Sequence, residues 1–357
     1  MQAHAPVRGA ARIGLERSTN EGAPDAVEQL TLGVLGTGFI GERHARNAAA
    51  SSAVELVGIA SLHGDAARQL AAELDCRACS PGELLAANDI EAIVVASRTS
   101  DHATHAVEVL GHGKHLLLEK PGAINTTDHD LISAAAARQP GLTVRVAYHR
   151  RHDPGFRELA RRVGAGEIGE PFAVHMRSSE DFPPSDADRF AGGFVMDVGV
   201  HDFDTARWLL NQDPTSAYAV GQAARYDTAD NFWITLGFDA AVATTELSRT
   251  SPNGMDIRCE VIGREGSALL SAAPLRRGLT ILGAADIHSF PRDCLEAFAD
   301  AYVGELADFA SSCRGREAPG ATLLDDRHAV ATAVAARASA LRGTALAIGP
   351  DWEWPGG

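Results

Sequence analysis

A glycine-rich loop near the start of the chain constrains the fold more than any other feature of the sequence. Gly36, Gly38 and Gly41 form the pattern G-x-G-x-x-G between an apolar segment at 31–35 and a helix-like segment at 41–50. In this setting the first glycine permits a tight turn, the second lets the backbone approach a pyrophosphate, and the third lets helix and strand pack closely. The N–H groups and positive dipole end of the helix favour a bound anion. The loop therefore predicts a dinucleotide-binding strand–loop–helix unit.

Strand-like and helix-like segments alternate up to about residue 150. The segment at 90–96 is rich in β-branched residues, as expected for a strand covered on both faces. Further strands are predicted at 54–60, 115–118 and 144–148, and helices at 65–74, 102–110 and 131–138. This alternation predicts an α/β domain with a doubly wound parallel sheet, a Rossmann domain spanning 30–150.

The pattern changes after residue 150. A helix at 156–163 precedes strand candidates at 172–179, 217–225, 232–238, 243–249, 257–262 and 268–271, and two long helices follow at 295–312 and 326–341. These segments predict an α+β domain over 151–357 with a mostly antiparallel, six-stranded sheet that is open on one face. Because a large apolar sheet face is not left in water, we expect a homodimer or homotetramer built on that face.

Length, charge and hydropathy narrow the class of protein. A chain of 357 residues suits two domains. Its 47 acidic and 32 basic side chains give a net charge of −15, which disfavours nucleic acid and anionic membranes as partners. No apolar run approaches the roughly 20 residues that span a bilayer. Residues 1–29 lack the apolar core of a secretory signal, so we expect a mobile tail, or an arm that docks on a neighbouring subunit, in a cytoplasmic protein.

The spacing of cysteines and histidines predicts neither disulfides nor a metal site. Five cysteines form an odd and sparse set. Cys76 and Cys79 have C-x-x-C spacing, but no second ligand pair for zinc is nearby, so we interpret them as ordinary residues around a short strand. Four histidines straddle a predicted helix and the next strand, and they are not expected to hold a metal: His102, His105, His112 and His115.

The residue after the second predicted strand bears on the choice of cofactor. Enzymes that use NAD usually carry Asp or Glu there to bind the ribose 2′-hydroxyl. This sequence has Ser61, and His63 or Arg68 could donate to a 2′-phosphate. The absence of the carboxylate permits NADP, and we favour NADP over NAD.

Two further motifs follow the glycine loop in order. E-K-P stands at 119–121, after the strand at 115–118, and D-x-G-x-H stands at 197–201. Together the three motifs resemble the glucose–fructose oxidoreductase / inositol dehydrogenase / MocA family, over residues 30–345. The resemblance implies a Rossmann domain followed by an open-sheet domain, NAD(P)-dependent oxidation or reduction, and a constellation of Lys120, Asp197 and His201. It also implies a cis bond between Lys120 and Pro121.

Local segments resemble inositol dehydrogenases within that family. They lie at 148–156, 192–204, 253–263 and 298–302. The chain departs from the family pattern at Ser61, where an acidic residue is usual, at Met255, where tyrosine is common, and at Arg98, where proline is common. His149 and His152 replace apolar or aromatic residues. These departures leave the cofactor and the polyol open, but not the reaction class.

The motif residues suit hydride transfer at an alcohol carbon. This chemistry needs a base for the hydroxyl proton and donors that stabilise developing negative charge. His201 suits the base because its ordinary pKa lies near neutral pH. Asp197 shares a face with His201 if the segment is helical, and it could then orient the imidazole or bind a second hydroxyl. Lys120 adds a cation at the C-terminal edge of the parallel sheet, where ligands bind.

Two sets of site residues are therefore predicted. Catalysis and substrate binding are assigned to Lys120, Asp197 and His201, with Arg150 lining the substrate cleft. The residues predicted to contact the cofactor are Gly36, Gly38, Phe39, Ile40, Gly41, Ser61, Ser97, Thr99, His102, Glu119 and Lys120.

Three functions compete at this point. The first is an NAD(P)-dependent dehydrogenase acting on a cyclic polyol, with an inositol as the expected substrate. The second is an NADP-dependent ketoreductase or dehydrogenase acting on a sugar or a nucleotide-linked sugar, which Ser61 and Met255 keep open. The third is a non-catalytic, cofactor-binding regulator. Retention of Lys120, Asp197 and His201 together speaks against the third, because a sensor does not need the base.

Overall fold

The structure, a computed structural model, describes residues 29–62, 64–181, 193–226, 229–251, 254–271, 291 and 293–349. The tail predicted at 1–29 lies outside these residues except for its last position. Within the described residues the strands form a six-stranded sheet and a seven-stranded sheet. No helix in this part of the chain is both long enough and apolar enough to cross a membrane.

The first sheet is parallel throughout. Its strands are β1 (Leu30–Leu35), β2 (Val54–Ala60), β3 (Arg77–Cys79), β4 (Ala92–Val95), β5 (His115–Glu119) and β6 (Val144–Ala147). Their order is β3-β2-β1-β4-β5-β6, and each neighbouring pair is parallel. The predicted Rossmann sheet is therefore confirmed. Its strand order reverses between β1 and β4, and such a switch point opens a crevice for ligands at the carboxyl ends of the strands.

Helices cover both faces of this sheet. They are α1 (Phe39–Ala50), α2 (Gly64–Glu73), α3 (Pro81–Ala86), α4 (His102–Gly111) and α5 (Thr126–Ala137). The sequence pattern does not predict α3, which is short and begins with a capping box between Ser80 and Glu83. α5 begins earlier than predicted because the side chain of Asn125 accepts the backbone N–H of Asp128 at 2.8 Å.

The two cysteines of the C-x-x-C pattern lie around a short strand, as expected. Cys79 closes β3, Cys76 precedes it, and both thiols are free. Burial, with smaller effects from neighbouring groups, raises the pKa of Cys76 to about 11. A thiol of this kind stays protonated at neutral pH, which disfavours redox chemistry.

The second sheet is mixed but mostly antiparallel. Its strands are β7 (Pro171–Ser179), β8 (Ser216–Gln222), β9 (Asn231–Gly237), β10 (Val242–Ser248), β11 (Asp256–Gly263), β12 (Ser267–Ser271) and β13 (Leu346–Ala347). In the order β12-β11-β7-β10-β9-β8-β13, the described residues pair in parallel between β7 and β10 alone. The sheet has seven described strands rather than the predicted six, because β13 has two residues and is too short to show a period of two.

Helices from the second half of the chain pack on both domains. They are α6 (Pro154–Gly164), α7 (Val200–Leu210), α8 (Cys294–Ala297), α9 (Ala299–Cys313) and α10 (Leu323–Arg342). α7 and α10 cover one face of the second sheet. α9 returns to the Rossmann domain, where Leu306 and Phe309 share a core cluster with Leu32 and Val34 of β1. The helix predicted at 295–312 is therefore two helices, interrupted at Phe298.

Candidate active site

A cavity of about 1160 Å³ opens at the carboxyl ends of β1 and β4. Its wall runs from the glycine loop, past the segments that follow β4 and β5, to the ends of β7 and the start of α7. Small-molecule pockets usually measure roughly 300–1,000 Å³, so this cavity has room for an extended ligand beside a small one. The predicted site residues all line it, with the exception of Gly41.

The glycine loop has the geometry of a pyrophosphate cradle. Gly36 has φ +119°, and a Cβ there would stand 2.2 Å from the carbonyl oxygen of Ala96. No described atom lies within 4 Å of a Cβ built on Gly38, so this backbone faces open space. Gly38 precedes α1 and places no side chain over its first N–H groups. The residues present therefore fit a dinucleotide phosphate bound at the start of α1.

Gly41 differs from the other residues predicted to contact the cofactor in its position relative to the cavity. It lies behind the loop, where a Cβ would stand 2.3 Å from the carbonyl oxygen of Gly36. Its lack of a side chain therefore lets α1 pack against β1, and Gly41 does not line the cavity.

The end of β2 presents a hydroxyl to the cavity. Ser61 lines the cavity, together with Leu62. Arg68, one of the two donors considered for a 2′-phosphate, is exposed and forms an ion pair with Asp65. The other, His63, lies outside the described residues.

Two predicted cofactor residues hold the loops that form the cavity wall. Glu119 accepts the backbone N–H of Lys120 at 3.1 Å and lies 2.7 Å from Nε2 of His44, which is fully buried. The ring nitrogens of His102 lie 2.9 Å from the carbonyl oxygen of Pro121 and 3.2 Å from that of Ser97. Since these polar atoms are engaged with protein groups, contact of Glu119 and His102 with a cofactor remains a prediction.

Lys120 and Asp197 form an ion pair between the two domains. Lys120 Nζ donates to Asp197 Oδ1 and to the Asp197 carbonyl oxygen, each at 2.8 Å. The peptide bond from Lys120 to Pro121 is cis, as the resemblance implies. Burial alone lowers the pKa of Lys120, but the charge and hydrogen bond of Asp197 outweigh burial, and the net shift is upward. Lys120 therefore carries its positive charge at the base of the cavity.

His201 is an uncharged imidazole in the same cavity. It is buried, and its ring centroid lies 5.8 Å from the Tyr148 ring and 4.6 Å from the His149 ring. Burial, followed by the charge of Lys120, lowers the pKa of His201 well below its ordinary value. Nδ1 of His201 has no hydrogen-bond partner among the described residues. Asp197 binds Lys120 in this structure, so its suggested role in orienting this imidazole remains a prediction.

A wide helical turn joins these two residues. Residues Val195–Gly199 form a π-helix that runs directly into α7, so Asp197 and His201 do not follow the four-residue spacing of an α-helix. Single π turns are frequent at functional sites. Both side chains line the cavity nevertheless.

Arg150 lines the cavity, but its charge is already neutralised. Its guanidinium forms an ion pair with Asp202 and donates to Ser178 Oγ at 2.9 Å, and Thr245 also donates to Asp202. Arg150 and Asp202 are both buried. This arrangement leaves Arg150 better placed to fix the end of β7 against α7 than to bind a substrate with a free charge.

Asp326 is a buried connection that the sequence does not reveal. This residue of α10 has no exposed surface. It accepts the Tyr148 hydroxyl at 2.9 Å and the Gly122 backbone N–H at 3.1 Å, and it lies 3.4 Å from His129 Nε2. Asp326 therefore ties the loop that carries Lys120 to the aromatic ring that packs against His201.

Other cavity residues received no role from the sequence. His149 stacks on Tyr302 with ring centroids 4.8 Å apart, and burial, followed by the charge of Arg150, lowers its pKa well below the ordinary value. Glu180 follows β7, lines the cavity and lies near enough to Asp197 for their charges to interact. A signal for Glu180 was available, since it is an acidic residue at the end of an alternating strand.

The arrangement supports acid–base chemistry beside a bound dinucleotide. A charged lysine can stabilise negative charge on a substrate oxygen, and a neutral histidine can accept its proton. Among the described residues, no group of three or more His, Cys, Asp or Glu side chains is placed to hold a metal ion.

Known proteins match the chain over most of its length. Residues 30–148 match the profile of an oxidoreductase family with an NAD-binding Rossmann fold, and residues 156–269 match the GFO/IDH/MocA C-terminal domain. The scyllo-inositol 2-dehydrogenase (NAD(+)) of Bacillus subtilis is 32% identical over 310 residues, which cover 83% of this chain and 90% of that protein. An inositol 2-dehydrogenase of Saccharopolyspora erythraea is 30% identical over 309 residues, covering 84% and 90% respectively.

A solved structure agrees with these sequence matches. The crystal structure of a myo-inositol dehydrogenase from Corynebacterium glutamicum has a TM-score of 0.79 and 28% identity, and the match covers 90% of this chain and 99% of that one. Both domains of the chain are therefore shared with these proteins. The chain belongs to the GFO/IDH/MocA family of oxidoreductases.

Proposed function

We propose that the chain is an inositol dehydrogenase, which moves a hydride between a nicotinamide dinucleotide and a secondary alcohol or ketone of a cyclic polyol. The observation that carries the proposal is the ion pair of Lys120 with Asp197 beside neutral His201, in one cavity with the glycine loop. The names of the inositol 2-dehydrogenases to which the chain is similar support inositol as the substrate.

The Rossmann domain would hold the dinucleotide along the cavity wall. The open backbone at Gly38 and the start of α1 would bind the pyrophosphate, and Ser97 and Thr99 would line the path toward Lys120. When bound, the nicotinamide accepts hydride from the ring carbon that carries the oxygen, or returns it.

The chain's own residues then manage charge and proton. Lys120 donates to the substrate oxygen and stabilises the negative charge that develops as the proton leaves. His201 accepts that proton, since burial keeps its imidazole neutral. Asp197 holds Lys120 in place and can accept a hydrogen bond from a neighbouring hydroxyl of the ring. In the opposite direction, protonated His201 returns the proton to the ketone oxygen.

A spectrophotometric assay tests the proposal. Purified protein is mixed with NAD⁺ or NADP⁺ and a panel of inositols and aldoses, and the absorbance of the reduced nicotinamide is followed. We expect turnover of at least one inositol. Turnover of aldoses alone would favour the sugar dehydrogenase instead, and silence across the panel with a dinucleotide still bound would favour the non-catalytic regulator.

We propose that the chain accepts NADP at least as readily as NAD. Support comes from Ser61, which places a hydroxyl at the end of β2 where a carboxylate would repel a 2′-phosphate. The B. subtilis relative is named for NAD(+), so the preference is a property in which this chain would differ from that enzyme.

Replacing Ser61 by aspartate is expected to shift the ratio of kcat/KM with NAD to kcat/KM with NADP toward NAD by about 10- to 100-fold, because like charges that face each other cost several kcal/mol. The matched control is Ser61→Ala, which removes the hydroxyl without adding charge and should change the ratio little. An unchanged ratio in Ser61→Asp would show that the 2′-position does not contact this residue.

We propose a homodimer or homotetramer in the cytoplasm. The uncovered face of the second sheet carries four large apolar side chains that are 43% to 49% exposed: Tyr218, Val220, Trp233 and Leu269. Val220 and Trp233 are cross-strand neighbours, which makes part of this face a continuous patch. Light scattering at micromolar concentration measures the assembly, and a monomer would contradict it.

The five cysteines are free, as is usual in a reducing compartment, which supports the cytoplasm as the location.

A further inference from the structure

The carboxyl group of Glu180 lines the substrate end of the cavity, and the proposed mechanism gives it no task. Its backbone is fixed on both sides, since its N–H donates to the carbonyl oxygen of Ser248 at 2.7 Å and its carbonyl accepts the N–H of Ser251 at 3.1 Å. Its side chain makes no hydrogen bond or ion pair among the described residues. The backbone of Glu180 is therefore held in place, while its carboxyl group has no partner among the described residues.

None of the three cations near Glu180 forms an ion pair with it, and two of them are bound to other carboxylates. Lys120 is bound to Asp197 at 2.8 Å. Arg150 is bound to buried Asp202. Arg249 packs over the ring of Phe194, 4.4 Å from its centroid, and its charge favours the ionised form of Glu180 although the two side chains form no ion pair.

The two cavity histidines add no positive charge. Burial holds the pKa values of His149 and His201 well below the ordinary value, so both rings are neutral near neutral pH. When Glu180 is ionised, it is thus a buried carboxylate without an ion-pair partner among the described residues, and the nearby charge of Arg249 offsets its own only in part.

Burial makes the charge of this unpaired carboxylate costly. Burial first, and the carboxylate of Asp197 second, raise the pKa of Glu180 to about 7. A buried ion without a partner is unfavourable, and a ligand that supplies the opposite charge removes the cost. Glu180 is thus poised to gain a cationic partner when the cavity fills.

We infer that Glu180 binds an ammonium group on the substrate, so that the cyclic polyol is an amino-substituted one, an aminocyclitol or an amino sugar. The inference rests on the proposed function and narrows its substrate class. A hydroxyl could donate to Glu180 but would leave the charge uncompensated. An ammonium supplies both the donors and the charge, and charge-assisted hydrogen bonds are the stronger kind. Lys120 and His201 remain free to act on a hydroxyl elsewhere on the same ring.

The test compares one ring with and without the amino group. Steady-state kinetics are measured near neutral pH for scyllo-inositol and for its amino-deoxy counterpart, with the better dinucleotide. We expect wild-type protein to prefer the amine by about tenfold or more in kcat/KM, the equivalent of one good charged contact. The N-acetyl derivative of the amine, which carries no charge, should lose this advantage.

The matching variant is Glu180→Gln, which keeps the size of the side chain and removes its charge. The ratio of kcat/KM for the amine to kcat/KM for scyllo-inositol should fall by about tenfold or more, mainly through a higher KM for the amine. The control is Glu55→Gln, an exposed residue of β2 that does not line the cavity, and it should change neither value.

The possible results distinguish a failure of this inference from a failure of the proposed dehydrogenase function. Equal use of the amine and the parent polyol by wild-type protein would overturn the inference even if Glu180→Gln does not fold, and would leave the dehydrogenase in place. A loss of equal size on both substrates in Glu180→Gln would overturn it as well. No turnover of either compound, with either dinucleotide, would contradict the proposed function and the inference together.

Discussion

Replacing His201 by asparagine is expected to lower kcat/KM for alcohol oxidation by about 10²- to 10⁴-fold, the usual contribution of a positioned general base. Asparagine fills much of the same volume and keeps a polar group in the cavity, but it cannot accept a proton near neutral pH. The dinucleotide should bind with nearly unchanged affinity, because the glycine loop lies at the other end of the cavity.

The control and the pH profile make this expectation specific. His328→Asn on α10, outside the cavity, should behave as wild type. In wild-type protein, oxidation needs His201 unprotonated, and burial together with the charge of Lys120 lowers its pKa. With scyllo-inositol, which has no ammonium group for Glu180 to bind, kcat/KM should therefore stay level as the pH falls through about 6.5, the ordinary histidine pKa, and decline only below it. More than a tenth of wild-type activity in His201→Asn would show that another group takes the proton.

Replacing Lys120 by methionine is expected to have the largest combined effect on activity and stability. It removes the donor to the substrate oxygen, a loss usually worth about 10²- to 10³-fold in kcat. It also leaves Asp197 as a partly buried carboxylate without its 2.8 Å partner. Breaking such a pair by removing one member costs about 3–5 kcal/mol when the pair is fully buried, and both side chains here are 15% exposed, so we expect a loss toward the lower end.

A double variant separates the two effects of Lys120. In Lys120→Met with Asp197→Leu no unpaired charge remains, so the free energy of unfolding, measured with urea, should recover most of the loss. Activity should stay at the level of the single variant or below it. Recovery of activity in the double variant would mean that Lys120 acts only by neutralising Asp197, and full stability in the single variant would mean that Asp197 finds another partner.

Sequence motifs located the three catalytic candidates but not their contacts. Lys120 and Asp197 are 77 residues apart and meet only because the second domain brings the π turn before α7 against the end of β5. Four-residue spacing suggested that Asp197 serves His201. That spacing holds in an α-helix, whereas the π turn changes the relation between the two side chains, and no residue pattern in the sequence announces such a turn.

A residue that holds others in place cannot be recognised from the sequence when its partners are far away along the chain. Asp326 stands at the start of a predicted helix, where an acidic residue is usually a favourable surface charge. Its buried partners Tyr148 and Gly122 lie 178 and 204 residues away. Local periodicity carries no information on contacts between residues so far apart in sequence. The glycine loop could be recognised because its residues act together within one turn.

The shortest described strand, and the shortest helix of the first domain, could not be predicted from the periodicity of the sequence. β13 has two residues and pairs with β8 only through the closing of the second sheet. α3 has six residues, fewer than two full turns, so its capping box is the one local sign of its presence. The longer strands and most of the longer helices are present where their periodicity predicts them, because a period needs several residues to show. The exceptions are α7, which the pattern does not predict, and the helix predicted at 295–312, which is two helices.

The proposed reaction moves a hydride between a ring carbon of the polyol and a nicotinamide. The most direct measurement uses scyllo-inositol with deuterium at its ring carbons, and the same label on its amino-deoxy counterpart, with mass spectrometry of the dinucleotide after turnover. We expect one deuterium in the reduced nicotinamide formed by the wild-type protein, and little or no labelled product with His201→Asn or Lys120→Met. Reduced nicotinamide without deuterium, or labelled polyols that are recovered unchanged while the dinucleotide stays oxidised, would contradict the proposed reaction.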